Sequence, residues 1–491
     1  MGSFFVDLDS AFEQAGDADC LRLSDGQVHS YRDLQTYVNG VADVLLRHEV
    51  HPGDRVLVQV DKSAENLWLY LATLKIGAVY VPLNTAYTPA ELDYFIEDAE
   101  PALYVGRENH SKIRTLTLLG DGSGSLMDEV VAGAEVPIEH RERDDLAAIV
   151  YTSGTTGRSK GAMLSHENLR SNALSLGEAW GWQANDVLLH ALPIFHVHGL
   201  FIATHCALLS GTPMVWLPRF DAGEVQRHLQ DCTVMMGVPT FYTRLLDDSS
   251  FPHQPLDKFR VFICGSAPLT PQVFAAWENR TGHRILERYG MSETIINTTN
   301  PLNGERVAGT VGYALPRLEV RIASSEGEVL PRGEVGGIEV RGPNVFSGYW
   351  RNPQKTAEEI RADGYFITGD LGVQDEDGRV SIVGRSKDLV ISGGYNVYPK
   401  EVEKLLDSMP EIVESAVIGV PHADFGEAVV AVVVPKSDAV ELNAVEATLQ
   451  GQLARFKQPK AIINVPELPR NTMGKVQKNV LRELHSELFA D

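Results

Sequence analysis

Short apolar runs recur through the first two-thirds of the chain, and their spacing sets the first expectation. RVLVQV (55–60), AVYVPL (78–83), LAAIVYT (146–152), VLLHALP (187–193), PMVWLP (213–218), TVMMGVP (233–239) and RVFICG (260–265) are nearly continuous in hydrophobic residues. Helix-like segments such as ENLWLYLATLKIG (65–77) and AGEVQRHLQ (222–230) lie between them. Strands that are apolar on both faces and alternate with helices predict parallel sheets covered on both sides, with ligands bound at the carboxyl ends of the strands. From about Val307 the texture changes to shorter strands and frequent glycine, as in GTVGYALPRLEVRIAS (309–324), GGIEVRG (336–342), YFITGD (365–370) and RVSIVG (379–384). That pattern predicts a small β-rich subdomain. After GRSKD (384–388), β and α signals such as AVVAVVVP (428–435) and NAVEATLQGQLARF (443–456) predict a separate α+β unit. The expected fold class is therefore α/β: a large N-terminal domain, residues 1–386, of two parallel-sheet α/β subdomains plus a small β-rich one, then a small α+β C-terminal domain, residues 387–491.

Length and composition agree with more than one domain, since 491 residues at 44% hydrophobic content can bury several cores. Lys and Arg number 43 against 66 Asp and Glu, a net charge of −23, which disfavours nucleic acid or an anionic membrane as a partner. Cys20, Cys206, Cys232 and Cys264 are widely spaced and form no CxxC, so a reducing, cytoplasmic setting is expected rather than a disulfide framework or structural zinc. The N-terminal MGSFFVDLDSAFEQ lacks a basic n-region and, with Val6, fails the myristoylation pattern; no secretory signal and no peroxisomal address is expected. Residues 187–218 carry no Asp, Glu, Lys or Arg, a length sufficient to span a bilayer. Four histidines, three prolines and two glycines within them point instead to buried protein lining a pocket.

The strongest local chemistry is YTSGTTGRSKGA, Tyr151 to Ala162, where a strand runs into a loop of Gly, Ser and Thr with one lysine. Backbone N–H groups of such a loop can converge on phosphate oxygens. It does not align with a Walker A loop, and on composition alone a turn without special function stays open. GDGSGS (120–125) lacks the full GxGxxG pattern and is read as a plain turn.

TSGTTGRSKGA, CGSAPL, ERYGMSET, YFITGD, GRSKDLVISGGYNVYP and LPRNTMGK follow one another in the order and rough spacing of the adenylate-forming acyl-CoA synthetase superfamily, which this chain resembles from Thr152 to Lys475, and through GAVYVPLN over nearly its whole length. Within it, ERYG and LPRNTMGKVQKNVLRE are most similar to malonyl-CoA synthetases. The resemblance implies a two-step ligase. A carboxylate attacks the α-phosphate of ATP to give an acyl-adenylate and pyrophosphate, and the thiol of coenzyme A (CoA) then displaces AMP. The first step joins two anions, so it needs charge neutralisation and positioning rather than a protein nucleophile.

Carried over residue by residue, Thr152, Ser153, Gly154, Thr155, Thr156 and Gly157 with Lys160 would hold the β- and γ-phosphates. Ser292, where relatives usually have threonine, would offer a hydroxyl to the α-phosphate, and Glu293 would ligate Mg²⁺. A helix-start cap is the plainer reading of Ser292–Glu293. Tyr289 would stack on adenine, flanked by Gly265, Ser266, Ala267 and Pro268 and by Glu287, Arg288 and Gly290. Asp370 would accept the ribose hydroxyls with Arg385 beside it. Lys475 would be the catalytic lysine of adenylation. Lys387 would be the hinge about which a mobile C-terminal domain turns, bringing Ser392, Gly393 and Gly394 to the CoA arm. His196, in FHVHG, matches a position near the acyl pocket, where orienting substrate is favoured over binding metal. Arg455 to Arg482 holds seven Lys or Arg and one acid, Glu467; this is either a solvated face or an attractor of ATP and CoA phosphates.

Arg288 carries the substrate question. Successive side chains of a strand alternate faces, so Leu286 and Arg288 share one side and Glu287 and Tyr289 the other. A dicarboxylic acid must bury its second carboxylate, and a guanidinium can hold it with two parallel hydrogen bonds; Ser266 could add a hydroxyl. The plain alternative is an ion pair with a neighbour such as Glu287. The expected activity is ATP-dependent malonate–CoA ligation, with methylmalonate as a further substrate and fatty acid metabolism as its setting. Another short-chain or aryl acid, and a non-catalytic AMP-binding relative, stand as alternatives. A carrier domain is not expected, because the chain ends shortly after Lys475.

Overall fold

The computed structural model describes residues 2–152, 159–252, 255–437, 442–471 and 474–489. Two large sheets form the body of the N-terminal domain. The first has nine strands, six of them parallel: Leu286–Tyr289, Val261–Cys264, Val234–Gly237, Leu188–His190, Met214–Trp216 and Asp19–Leu23. The second has seven, with Leu146–Thr152, Val79–Pro82, Arg55–Gln59, Leu103–Gly106 and Thr115–Thr117 running parallel. All seven apolar runs supply strands of these sheets.

The parallel expectation needs one correction, because both sheets are mixed at their edges. Val28–Ser30, Thr298–Thr299 and Tyr313–Ala314 close the first antiparallel, and Lys160–Ser165 with Gly348–Tyr349 close the second. At most of these edges the chain reverses directly into the next strand, which gives antiparallel neighbours, whereas a parallel pair needs a crossover; Gly348–Tyr349 instead pairs with the distant Lys160–Ser165. The β-rich subdomain likewise begins later than Val307. Tyr313–Ala314 belongs to the large sheet, and a four-stranded antiparallel sheet starts at Glu319–Ala323, continuing through Gly336–Arg341, Phe366–Gln374 and Val380–Arg385.

Local sequence marks the element ends. Helix Pro271–Thr281, which follows the CGSAPL segment, starts with Thr270 accepting from the Val273 N–H and Pro271 in its first turn, and stops at Gly282 in the left-handed region. The C-terminal unit packs Gly426–Pro435 between Ile412–His422 and Ala461–Asn464, around its own core of Val402, Leu406, Val417, Val429, Ala431 and Val433. Residues 187–218 fold as strand, π-helix (His198–Thr204), short α-helix and strand, with His190, His198 and His205 buried. Among the described residues no helix is long and apolar enough to cross a membrane.

Candidate active site

Three parallel strands of the nine-stranded sheet end at one place. Val261–Cys264 runs into Gly265 and Ser266, Leu286–Tyr289 into Gly290, and Leu188–His190 into the loop carrying His196 and His198. This is the carboxyl edge where a parallel sheet presents ligand-binding loops. Gly290 is required by close approach: a Cβ there would lie 1.9 Å from the Ile295 carbonyl oxygen. The plainer reading of Ser292–Glu293 does not hold, since no helix follows them. The Thr294 N–H bonds back to the Met291 carbonyl, Ile295 adopts φ +57°, and the chain reverses into the antiparallel Thr298–Thr299.

Arg288 is 4% exposed, and among the described residues its Nε and Nη2 have no hydrogen-bond partner. No ion pair joins it to Glu287, which points to the opposite face and receives the Gly309 N–H at 3.2 Å. Burial pulls the Arg288 guanidinium down to about 10 and pushes the Glu287 carboxyl up to about 8. Beside the arginine, His198 is buried with Nδ1 3.2 Å from the Ser266 hydroxyl and Nε2 unpartnered. His196 accepts the His198 N–H at 3.2 Å on Nδ1. Burial first, then the positive charges of Lys475 and Arg288, drive His196 down to about 3. Burial also pushes the His198 imidazole well down, so both imidazoles are neutral, next to an arginine with no counter-ion among the described residues.

On the other face, Tyr289 packs with Ile322, Ile338, Val340 and Val380 and gives its hydroxyl to Asp370 Oδ2 at 2.5 Å. Arg385 Nε meets Asp370 Oδ1 at 2.9 Å, and the two residues are paired across neighbouring strands. Thr152 and Lys160 face each other across the Leu146–Thr152 and Lys160–Ser165 strands; Ser153, Gly154, Thr155, Thr156 and Gly157, between them, lie outside the described residues. Glu293 is buried, 3.5 Å from the Thr152 hydroxyl and 3.1 Å from the Tyr349 hydroxyl, with Lys160 over the Tyr349 ring. Burial raises its carboxyl.

Lys475 comes from the C-terminal unit into this site. Burial and Arg385 lower its ammonium to about 8, while Asp370 and Glu293 pull the other way, so one cation lies within reach of the groups on both faces. Gly474 approaches Thr240 of the N-terminal domain, and Gln272 donates to the Asp407 carbonyl at 2.5 Å. Ser392, Gly393 and Gly394 are not part of the cluster. They form the turn between Val390–Ser392 and Tyr395–Val397, beside Phe425 and Gly426, with both glycines at positive φ. Lys387 is exposed in a short 3₁₀ turn, Ser386–Asp388.

Most of the basic charge of Arg455 to Arg482 is already paired. Lys457 meets Glu401, Arg470 meets Glu414, Lys478 meets Glu403 and Arg482 meets Asp388. Acids from elsewhere in the fold neutralise what looks concentrated along the chain, so the segment is no phosphate attractor as a whole. Tyr349 and His198 are further members of the cluster; the spacing of two from His196 was the available signal for His198, and nothing local marked Tyr349.

A two-domain α/β fold that gathers the buried carboxylates Glu293 and Asp370 and brings Lys475 to them from the C-terminal unit has the adenylate-forming architecture. The chain belongs to the AMP-binding enzyme family: residues 8–350 match the AMP-binding enzyme pattern, and 401–475 match the AMP-binding enzyme C-terminal domain. It is 34% identical to a malonate–CoA ligase of Arabidopsis thaliana, over 98% of this chain and 89% of that one. It superimposes on ATP-bound MatB from Rhodopseudomonas palustris with TM-score 0.96 at 51% identity, and on the apo form with 0.85, each over the full length of both chains. Over the whole chain the structure is therefore closer to the ATP-bound form.

Proposed function

We propose that this chain is an AMP-forming ligase joining malonate to CoA, and that the observation carrying the choice of acid is Arg288, buried with two guanidinium nitrogens unpaired. A buried charge without a partner is strongly disfavoured, and a partner removed from such a pair leaves a cost of several kcal/mol, on the order of 3–5. A second carboxylate supplies that partner; a monocarboxylic acid cannot. Ser266, His196 and His198 complete the wall with neutral polar groups, which exclude a competing anion from the protein itself.

In adenylation, the other malonate carboxylate attacks the α-phosphorus and pyrophosphate leaves. Lys475 sits where its ammonium can meet both the attacking oxygen and the α-phosphate, and Ser292 adds a hydroxyl. Asp370 and Arg385 take the ribose, Tyr289 and the Gly265–Pro268 segment the adenine, and Lys160 with the loop from Thr152 the outer phosphates. Glu293 suits a Mg²⁺ arriving with ATP, because it is a buried carboxylate with no ion pair among the described residues. When bound, that ion would neutralise phosphate charge. In the second step the C-terminal domain, taken as 387–491, turns about Lys387. Lys475 then withdraws, and the Ser392–Gly394 turn meets the pantetheine arm, whose close approach the two glycines permit. Four unpaired, buried cysteines suit a reducing compartment such as the cytoplasm.

Purified protein assayed for AMP release with ATP, CoA and a panel of malonate, methylmalonate, acetate, propionate, hexanoate and benzoate tests the reading. Malonate should give the highest kcat/KM. A monocarboxylic acid used as well or better would overturn it.

A further inference from the structure

Gly265 has an ordinary backbone conformation, so φ does not account for the absence of a side chain there. Space does. An ideal Cβ on Gly265 would lie 2.5 Å from Arg288 Cζ and 2.6 Å from its Nε and Nη1, the three nearest atoms to it. All are within the distance that real Cβ contacts avoid. The guanidinium therefore lies flat against the Gly265 backbone, and its seat is the hole left by the missing methyl group. The next residue is constrained as well. Ser266 stands at φ +73°, a strained conformation for a residue with a side chain, and is tied to the buried His198 at 3.2 Å.

We infer that Gly265 is a positioning residue for acid selectivity: it holds Arg288 in the pose that receives the second carboxylate of the substrate. This rests on the reading of Arg288 as the dicarboxylate receptor. The clash falls on the far end of a long side chain, so an added methyl displaces the guanidinium rather than the backbone. The fold survives, and the receptor is lost.

The experiment is a double-mutant cycle on the full chain, comparing Gly265→Ala, Arg288→Ala and the two together, each assayed with malonate and with propionate. Gly265→Ala should lower malonate kcat/KM at least tenfold more than it lowers propionate kcat/KM, a split that neither a general loss of structure nor a weakened adenine site would produce. In the Arg288→Ala background, where the methyl meets no guanidinium, Gly265→Ala should change the malonate-to-propionate ratio no more than about twofold, because the two residues act through one seat. The double variant also removes the clash, so it reads the coupling even if the single variant folds poorly. A malonate-to-propionate ratio of Gly265→Ala within twofold of wild type, or changes in that ratio that multiply in the double variant, would overturn the inference. Failure of the dicarboxylate reading itself would show separately, as a preference of the wild-type enzyme for propionate over malonate.

Discussion

The Tyr289 hydroxyl donates to Asp370 at 2.5 Å while Arg385 holds the other carboxylate oxygen at 2.9 Å. The acid is thus fixed between the strand that ends at the acyl pocket and the small antiparallel sheet. Each of its oxygens is oriented by one partner.

Removing that acid should therefore be felt in nucleotide binding. Asp370→Ala should raise the KM for ATP by roughly ten- to a hundredfold, as expected for losing charge-assisted hydrogen bonds worth about 1.5–3 kcal/mol. Tyr289→Phe keeps the ring and loses only the orienting bond, so its effect should be smaller than that of Asp370→Ala. ATP saturation of malonate-dependent pyrophosphate exchange measures both. An unchanged KM in Asp370→Ala would remove it from the ribose site.

In the proposed mechanism Lys475 divides the two half-reactions. Lys475→Ala should nearly abolish malonyl-AMP formation, yet leave thioester formation from supplied malonyl-AMP largely intact. Single-turnover assays of each step distinguish this from equal loss of both, which would contradict a role confined to adenylation.

The same lysine sets an alkaline limit. Its ammonium is held at about 8, chiefly by burial and then by Arg385, so the charged form needed for adenylation is present below that value and lost above it. The kcat/KM of pyrophosphate exchange reports the free enzyme and should fall about tenfold per pH unit above roughly pH 8. His196, held at about 3, stays neutral throughout and adds no step between pH 5 and 9. A profile flat to pH 10 would contradict the assignment.

Lys387→Pro should do the converse of Lys475→Ala. Proline fixes φ and blocks the backbone change that rotation requires. Pyrophosphate exchange should persist while CoA transfer fails; full overall activity would place the pivot elsewhere.

How much of this was legible in the sequence follows from range. RVFICG and LAAIVYT declare their strands because burial on both faces leaves no polar position, and the motif residues around Glu293, Asp370 and Lys475 could be placed because they are fixed by local chain. What sequence does not carry is pairing between distant segments. Arg470 with Glu414 and Arg482 with Asp388 turn a run of positive charge into ordinary ion pairs. The antiparallel edges of the large sheets, and the reversal at Ile295 in place of a helix, likewise depend on what the chain meets in space. The emptiness around Arg288 is the same kind of fact, since a residue's lack of a partner can be read only once the fold has set its neighbours.

Arg288 is the direct test. A carboxylate left beside alanine rather than a guanidinium would be unpaired at a cost of roughly 3–5 kcal/mol, about two to nearly four orders of magnitude in kcat/KM. The decisive measurement is malonate kcat/KM of Arg288→Ala against wild type, with the KM for ATP and the activity on propionate measured on the same preparations. The account predicts a loss of at least a hundredfold on malonate, little change in the KM for ATP, and propionate activity kept or raised. Malonate activity within a few-fold of wild type would contradict it.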